Sequence, residues 1–120
     1  MQLTLIAQDG PIACVTCEGD VSQSHFPVKL DGALEELLGA DCYHRRVLLD
    51  MEKTRFIDSS GIGWLMVSHK RFLGAGGRLV LHSVPPMIAQ VLRLLNLHTI
   101  LAIEPDLAAA RASVADAPGR

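Results

Sequence analysis

The sequence is poor in the features that mark several large classes of protein. Aromatic residues make up 4% of its 120 residues, and 11 lysines and arginines stand against 13 aspartates and glutamates, with no basic cluster longer than an adjacent pair. Because nucleic-acid binding needs a basic patch or stripe, we expect no nucleic-acid partner. No uninterrupted apolar run approaches the roughly 18 residues of a membrane helix, and the N-terminus lacks a secretion signal. We therefore expect a cytoplasmic protein without direct membrane insertion.

Cysteine is also scarce, and its pattern excludes two further classes. Three cysteines, an odd number, fit reduced thiols better than a disulfide framework. Cys14 and Cys17 form a CxxC pair, but no second pair of ligands stands at metal spacing, and residues three apart in a strand project to opposite faces. The five histidines show no paired spacing either. We predict no metal site and no cofactor, with the cysteines packed as small hydrophobic residues.

What the sequence does contain is enough apolar material for one core. Hydrophobic residues make up 49% of the chain, and its length suits one domain. We predict that this domain spans residues 1–116 and that residues 117–120 form a frayed tail. We also expect a monomer or a weak dimer.

Hydrophobic periodicity predicts strands that alternate with helices. Strands are expected at 3–6, 11–17, 46–51, 78–82 and 100–103, and helices from Pro27 to Leu38, from about Ser60 to Leu73, from Pro85 to Leu95 and from Pro105 onward. The run 46–51 is almost wholly apolar, which is typical of a central strand covered on both faces. The alternation predicts an α/β domain with one mixed sheet of about four to five strands and about four helices.

One segment, FIDSSGIGWL, combines a carboxylate, two hydroxyls and two glycines at the start of a predicted helix. Helix starts leave N–H groups unpaired, so Asp58, Ser59 or Ser60 can serve as a cap. Capping does not explain Gly61 and Gly63, because glycine inside a helix costs about 1 kcal/mol relative to alanine. A bare backbone at a helix N-terminus leaves room for a partner and favours an anion. Both interpretations, a cap and a binding site, stay open at this point.

Trp64, the only tryptophan, follows this segment directly. Helical spacing from Ile62 and Leu65 places it at the edge or outside of the predicted buried stripe, although core packing is an alternative. A large aromatic side chain one turn before Val67 would be a natural interface anchor. We therefore predict that Trp64 and Val67 face a partner, whereas His69 lies on the inward side.

Residues 58–63, which we call the DSSGIG motif, also carry a resemblance. Preceded by the apolar run 47–50 and followed by GGRLVL at 76–81, the motif is similar to that of the STAS domain of anti-sigma factor antagonists. The similarity extends from about residue 3 to about residue 112, and VLRLLNLHTIL at 91–101 resembles the family's penultimate helix and last strand.

The resemblance implies a single STAS-like domain without enzymatic activity, acting in transcription regulation by partner switching. Such a protein binds an anti-sigma factor that is also a serine-protein kinase, and thereby frees a sigma factor. The kinase phosphorylates the first serine after the aspartate, which is Ser59 here, and a phosphatase reverses the modification. The resemblance further implies that Asp58, Ser60, Gly61 and Gly63 contribute to partner binding.

The sequence departs from the family pattern just after the second predicted strand. The family often has a GELD-like stretch there, whereas this chain reads Gly19-Asp20-Val21-Ser22, so that Asp20 takes the glutamate position and Ser22 replaces the aspartate. We predict that Asp20 and Ser22 form a second part of the partner site. An ordinary solvated loop is the alternative.

Three other functions are alternatives to the phosphorylation switch. A serine hydrolase is disfavoured because Ser59 lacks the GxSxG elbow, and a nucleotide-binding enzyme because Gly61 and Gly63 are not followed by a third glycine. A constitutive STAS adaptor in a lipid-transport or sensory, stressosome-like assembly shares the fold and leaves Ser59 unmodified. Replacing Ser59 with aspartate would separate this adaptor from the switch.

Overall fold

The computed structural model of the chain describes residues 1–23 and 32–115. The strands are β1 (Gln2–Asp9), β2 (Ile12–Val21), β3 (Arg46–Asp50), β4 (Thr54–Ile57), β5 (Arg78–His82) and β6 (Ala102–Glu104). The helices are α1 (Ala33–Leu38), α2 (Ser59–Ala75), α3 (Pro86–Leu94) and α4 (Leu107–Ala115), with short 3₁₀ turns at Cys42–His44 and Leu97–Thr99. The predicted helix start at Pro27 and the tail 117–120 lie outside the described residues.

The predicted α/β fold with a mixed sheet is confirmed. The strand order is β1-β2-β3-β5-β6, with β1 and β2 antiparallel and the other neighbours parallel. The apolar β3 lies at the centre, as its sequence predicts. The ten-residue β2 is long enough to pair first with β3 and then, near its end, with β4. This second pairing brings the end of β2 beside the residues that precede α2.

Helices cover both faces of the central strands. Side chains alternate along β3, so that Val47 and Leu49 pack in the larger core cluster with residues of α1, α2 and α3. Leu48 lies on the opposite face and packs with Ala110 and Val114 of α4. The continuous apolar run of β3 is therefore explained by burial on both sides.

The cysteines occupy the positions that strand alternation predicts. Cys14 lies in the cluster under α4, Cys17 lies in the larger cluster on the other face, and both are buried, as is Cys42. Burial raises the pKa of the Cys17 and Cys42 thiols to about 11. Over residues 1–23 and 32–115, no group of three or more histidine, cysteine, aspartate or glutamate side chains could hold a metal ion.

The described part of the chain also contains no helix that is long and apolar enough to cross a membrane. The longest helix, α2, has 17 residues and carries both glycines and charged side chains. It links β4 to β5 and holds the DSSGIG motif in its first turn.

Candidate functional site

Asp58 is the N-cap of α2 and lies at the junction between β4 and the helix. Its backbone is extended, and its Oδ1 accepts hydrogen bonds from the Gly61 N–H at 3.0 Å and from the Ser60 hydroxyl at 2.6 Å. Its Oδ2 accepts a hydrogen bond from the Ser22 hydroxyl at 2.5 Å. The capping interpretation therefore accounts for Asp58, because the carboxylate satisfies an N–H group of the first turn.

These three donors also fix the charge of Asp58. The hydrogen bond from Ser22, followed by those from Ser60 and from the Gly61 N–H, lowers the pKa of the Asp58 carboxyl from 3.8 to about 2. Donors aimed at a carboxylate favour its ionised form. A negative charge therefore stands beside Ser59 at every physiological pH.

Ser22 holds the end of β2 against the start of α2. Its side chain is 1% exposed, and the backbone N–H of the next residue, Gln23, donates to the Ser60 hydroxyl at 3.0 Å. The structure thus brings the segment after β2 to the DSSGIG motif, as predicted. The prediction that Ser22 itself contacts a partner is wrong, since its hydroxyl is buried and points at Asp58.

Asp20 lies two residues earlier on β2 and remains partly exposed. Its carboxylate is 3.8 Å from the Arg55 guanidinium, and it stands opposite Phe56 in the β2–β4 pair. Its role in partner binding stays a prediction. Sequence reasoning missed Phe56, an exposed aromatic residue two positions before Asp58 whose neighbour Ile57 faces the core. The alternation of strand side chains was the signal that could have found it.

Gly61 is buried, and contacts within the domain explain why this position has no side chain. An added Cβ would lie 2.1 Å from the Val21 carbonyl oxygen and 2.8 Å from Cγ1 of Ile57. Such distances are far below van der Waals contact, so only glycine lets the first turn of α2 approach β2 and β4 this closely. The prediction that Gly61 is bare in order to admit a partner is therefore wrong.

Trp64 also lies inside the protein, contrary to the prediction that it faces a partner. Its side chain is 3% exposed and packs in the larger core cluster with Leu65. The buried face of α2 runs through Gly61, Trp64, Leu65, Ser68 and Phe72. Gly61 and Ser68 do not count as apolar in the sequence pattern. The predicted buried stripe of α2 is therefore displaced by about one residue from the observed one.

The opposite face of α2 is open. Ser59, Gly63 and Val67 are exposed and follow one another at intervals of four residues, which places them on one side of the helix. A Cβ at Gly63 would meet no heavy atom of the described residues within 4 Å. We call this surface the Ser59 face. It contains the predicted phosphorylation site together with Gly63 and Val67, two of the predicted partner-binding residues.

Replacing Ser22 with alanine should raise the pKa of Asp58 from about 2 toward its ordinary value of 3.8, because the first of its three donors is lost. A depressed carboxyl pKa stabilises the folded state above pH 3.8, and this stabilisation disappears as the pH falls toward 2. The Ser22→Ala variant should lose this stabilisation at a higher pH than the wild type does. Carboxyl ¹³C chemical shifts measured during an NMR titration test this.

Ser113→Ala is the matched control, because the Ser113 hydroxyl donates within α4 to the Ala110 carbonyl oxygen and takes no part in the cap. It should leave the Asp58 titration unchanged. An unshifted Asp58 pKa in Ser22→Ala would contradict the assignment of Ser22 as the residue that positions this carboxylate.

Comparison with known proteins places this geometry in a family. The STAS domain model matches residues 5–110, and the chain belongs to the STAS domain family. Three solved structures share its fold at low sequence identity. An anti-sigma factor antagonist from Mycobacterium paratuberculosis matches at a TM-score of 0.75 and 19% identity, over 96% of each chain.

Of the other two structures, one is a second anti-sigma factor antagonist and one is a domain of a transporter. The anti-sigma factor antagonist SpoIIAA, in its unphosphorylated form, matches at a TM-score of 0.59 and 14% identity, over 99% of this chain and 100% of that one. The STAS domain of a SulP transporter from Vibrio cholerae matches at 0.69 and 15%, over 95% and 89%. The fold is therefore shared by regulators and by a domain of a transporter.

Proposed function

We propose that this chain is a cytoplasmic anti-sigma factor antagonist that is switched by phosphorylation of Ser59. In the unphosphorylated state it binds an anti-sigma factor with serine-protein kinase activity, and a sigma factor is freed. Phosphorylation of Ser59 by that kinase releases the complex, and a phosphatase restores the first state. The chain itself is no enzyme and uses no cofactor, because the kinase supplies ATP.

The main support for this proposal is the presence of a glycine, Gly63, at an exposed position of α2. Gly63 is exposed in the second turn of α2, and among residues 1–23 and 32–115 nothing lies within 4 Å of its Cβ position, so packing between these residues gives no reason for a glycine there. Glycine costs about 1 kcal/mol relative to alanine inside a helix. A partner that lies close against the helix backbone, one turn from Ser59, supplies the missing reason.

Ser59 is better suited to modification than Ser60. Ser59 is exposed, and the hydrogen bonds that organise the cap within the described residues involve Asp58, Ser60 and Ser22 instead. The Ser60 hydroxyl both donates to Asp58 and accepts from the N–H of Gln23, so a phosphate there would break the cap. A phosphate on Ser59 leaves these bonds intact at a helix end that tolerates anions.

The charge of Asp58 explains why phosphorylation would change binding without refolding the domain. Phosphorylation of Ser59 adds close to two negative charges. Because the ionised Asp58 carboxylate repels this phosphate, the phosphate is directed toward solvent and toward any bound partner. A loss of about 3 kcal/mol in binding would weaken the complex about a hundredfold. The similarity to SpoIIAA, an antagonist described in its unphosphorylated form, supports this interpretation.

Replacing Ser59 with aspartate should release the kinase. Wild type, Ser59→Asp and the control Ala108→Asp would be used as baits in a lysate of the source organism, and bound proteins would be identified by mass spectrometry. Ala108 is exposed on α4, which packs on the other face of the sheet, so its variant carries the same new charge at a remote position. We expect a kinase-like anti-sigma factor on wild type and Ala108→Asp only, with about a hundredfold difference in affinity.

The similarity to the STAS domain of a SulP transporter keeps a second function open, a constitutive adaptor in a transport or sensory assembly. An adaptor does not depend on modification of Ser59. Equal recovery of transporter or scaffold components by all three baits would favour this function and would contradict the phosphorylation switch.

A further inference from the structure

We propose that this protein has a second binding site, for an aliphatic carboxylate, in a cavity at the far end of α2 from Ser59. The cavity has a volume of about 330 Å³ and lies between the C-terminal half of α2, the start of β5 and the chain leading into β6. The cavity is lined mainly by the side chains of His69, Leu73, Arg78, Leu79, Ile100 and Leu101.

Aliphatic side chains form much of the inner wall and of the mouth of the cavity. Leu79 and Leu101 are almost fully buried, whereas Leu73 is 62% exposed and Ile100 is 49% exposed. Two large aliphatic side chains held in water at the rim of a recess are unfavourable, and a hydrocarbon chain between them would remove both from water. Among the described residues, the only ring that lines the cavity is the His69 imidazole, and no phenylalanine, tyrosine or tryptophan lies there.

The polar groups of the cavity are basic. Arg78 is permanently charged and exposed, and within residues 1–23 and 32–115 no carboxylate lies within ion-pair distance of its guanidinium. Burial and the Arg78 charge lower the pKa of His69, which leaves a neutral ring able to donate one N–H. No acidic residue of the described ranges lines the cavity. One fork-shaped cation beside a second donor matches a single carboxylate group.

The size and depth of the cavity favour a small molecule over a protein partner. Its volume is at the lower end of the range found for small-molecule sites, which is about 300–1,000 Å³. A ligand that fills the cavity must place apolar atoms against the buried Leu79 and Leu101 and its charge beside the exposed Arg78. A single medium-length aliphatic chain with a terminal carboxylate meets both requirements.

This site is separate from the Ser59 face. From Ser59 to Leu73 the helix rises by about 20 Å, since each residue adds 1.5 Å. A ligand in the cavity would therefore contact neither Ser59 nor Gly63. The inference rests on the cavity alone and holds whether or not the proposed phosphorylation switch is correct.

The test is a titration of the full chain with sodium octanoate, followed by ¹H–¹⁵N NMR. Two ligands serve as controls: butyrate carries the charge on a shorter chain, and 1-octanol carries the chain without the charge. We expect saturable shifts at His69, Leu73 and Leu101 with octanoate, and at least about tenfold weaker binding of either control, since hydrogen bonds to charged groups and buried methylenes each contribute this much.

Two substitutions locate the site. Arg78→Gln removes the cation, and Leu73→Glu puts a carboxylate at an exposed position of the cavity mouth; each should weaken octanoate binding at least about tenfold. Their matched controls are Arg55→Gln on β4 and Met87→Glu on α3, both exposed residues that do not line the cavity. Both controls should bind octanoate like the wild type.

Circular dichroism would establish that each variant is folded. If Arg78→Gln does not fold, Leu73→Glu still tests the site. The proposal is overturned if octanoate causes no saturable shifts, if 1-octanol binds as tightly as octanoate, or if the shifts map to other exposed apolar residues such as Phe56. Equal weakening by the two control variants would overturn it as well. Binding of kinase to the Ser59 face is a separate measurement and decides the proposed function independently.

Discussion

Replacing Trp64 with alanine should lower the free energy of unfolding by about 3–5 kcal/mol, the range observed when a large buried aromatic side chain is removed from a core. The indole ring is almost completely buried between α2 and the sheet, so its loss leaves a cavity that its neighbours cannot fill. Urea unfolding followed by circular dichroism measures the change. Val67→Ala, on the exposed side of the same helix, should change stability by less than about 1 kcal/mol.

A third variant separates the ring from its polar atom. The Trp64 indole Nε1 is buried and finds no hydrogen-bond partner within the described residues. Trp64→Phe keeps most of the apolar volume and removes this donor, so its stability should lie much closer to wild type than that of Trp64→Ala. If Trp64→Ala instead kept full stability and lost only partner binding, the tryptophan would be a surface anchor and its placement in the core would be wrong.

Gly61→Ala should destabilise the protein by about 3 kcal/mol, which is the upper end of the usual range for adding a methylene to a packed core. The new methyl group would collide with the Val21 carbonyl oxygen, a backbone atom that cannot turn away as a flexible side chain could. The first turn of α2 would have to separate from the end of β2, and the Ser22–Asp58 hydrogen bond crosses this same contact.

Gly63→Ala is the control for Gly61→Ala because it adds the same methyl group two residues later. Its Cβ meets no atom within 4 Å in the part of the chain that the structure describes, so the variant should be more stable than wild type by up to about 1 kcal/mol. Denaturant midpoints of the two variants should therefore move in opposite directions. Equal midpoints would show that the close approach of Gly61 to β2 does not determine the stability of this junction.

The pair also bears on the proposed function. A partner that lies against the bare backbone at Gly63 would be displaced by a methyl group, so Gly63→Ala should bind the kinase more weakly while it is more stable. Loss of binding together with a gain in stability cannot be attributed to unfolding. Unchanged binding would remove the main support for a close contact at the Ser59 face.

The fold was predictable because its central features are local. The apolar run of β3 follows from neighbouring residues, and a strand was predicted there. No strand was predicted at β4, since four residues are too few to establish an alternation, and β4 is fixed by pairing with β2 from a distant part of the sequence.

The site was predictable in position and only partly in detail. The DSSGIG motif predicted a helix start at about Ser60 and a cap among Asp58, Ser59 and Ser60, and the helix begins at Ser59 with Asp58 as its cap. The reasons for Gly61 and Ser22 depend on contacts between the end of β2 and α2, which lie 36 residues apart for Ser22 and Asp58. Composition and periodicity contain no information on such a contact. They also do not indicate that Ser68, a polar residue, is buried, and its burial is part of the reason why the buried face of α2 includes Trp64.

The burial of Cys17 has a consequence for the reaction of the protein with oxidants. Oxidants attack thiolates, but the raised pKa keeps the Cys17 thiol protonated, and β2 lies between neighbouring strands with Cys17 in the larger core cluster. A reagent can therefore reach this sulfur atom only in a molecule whose sheet has already opened. Oxidation of Cys17 would be confined to unfolded chains and would leave the folded population unaffected.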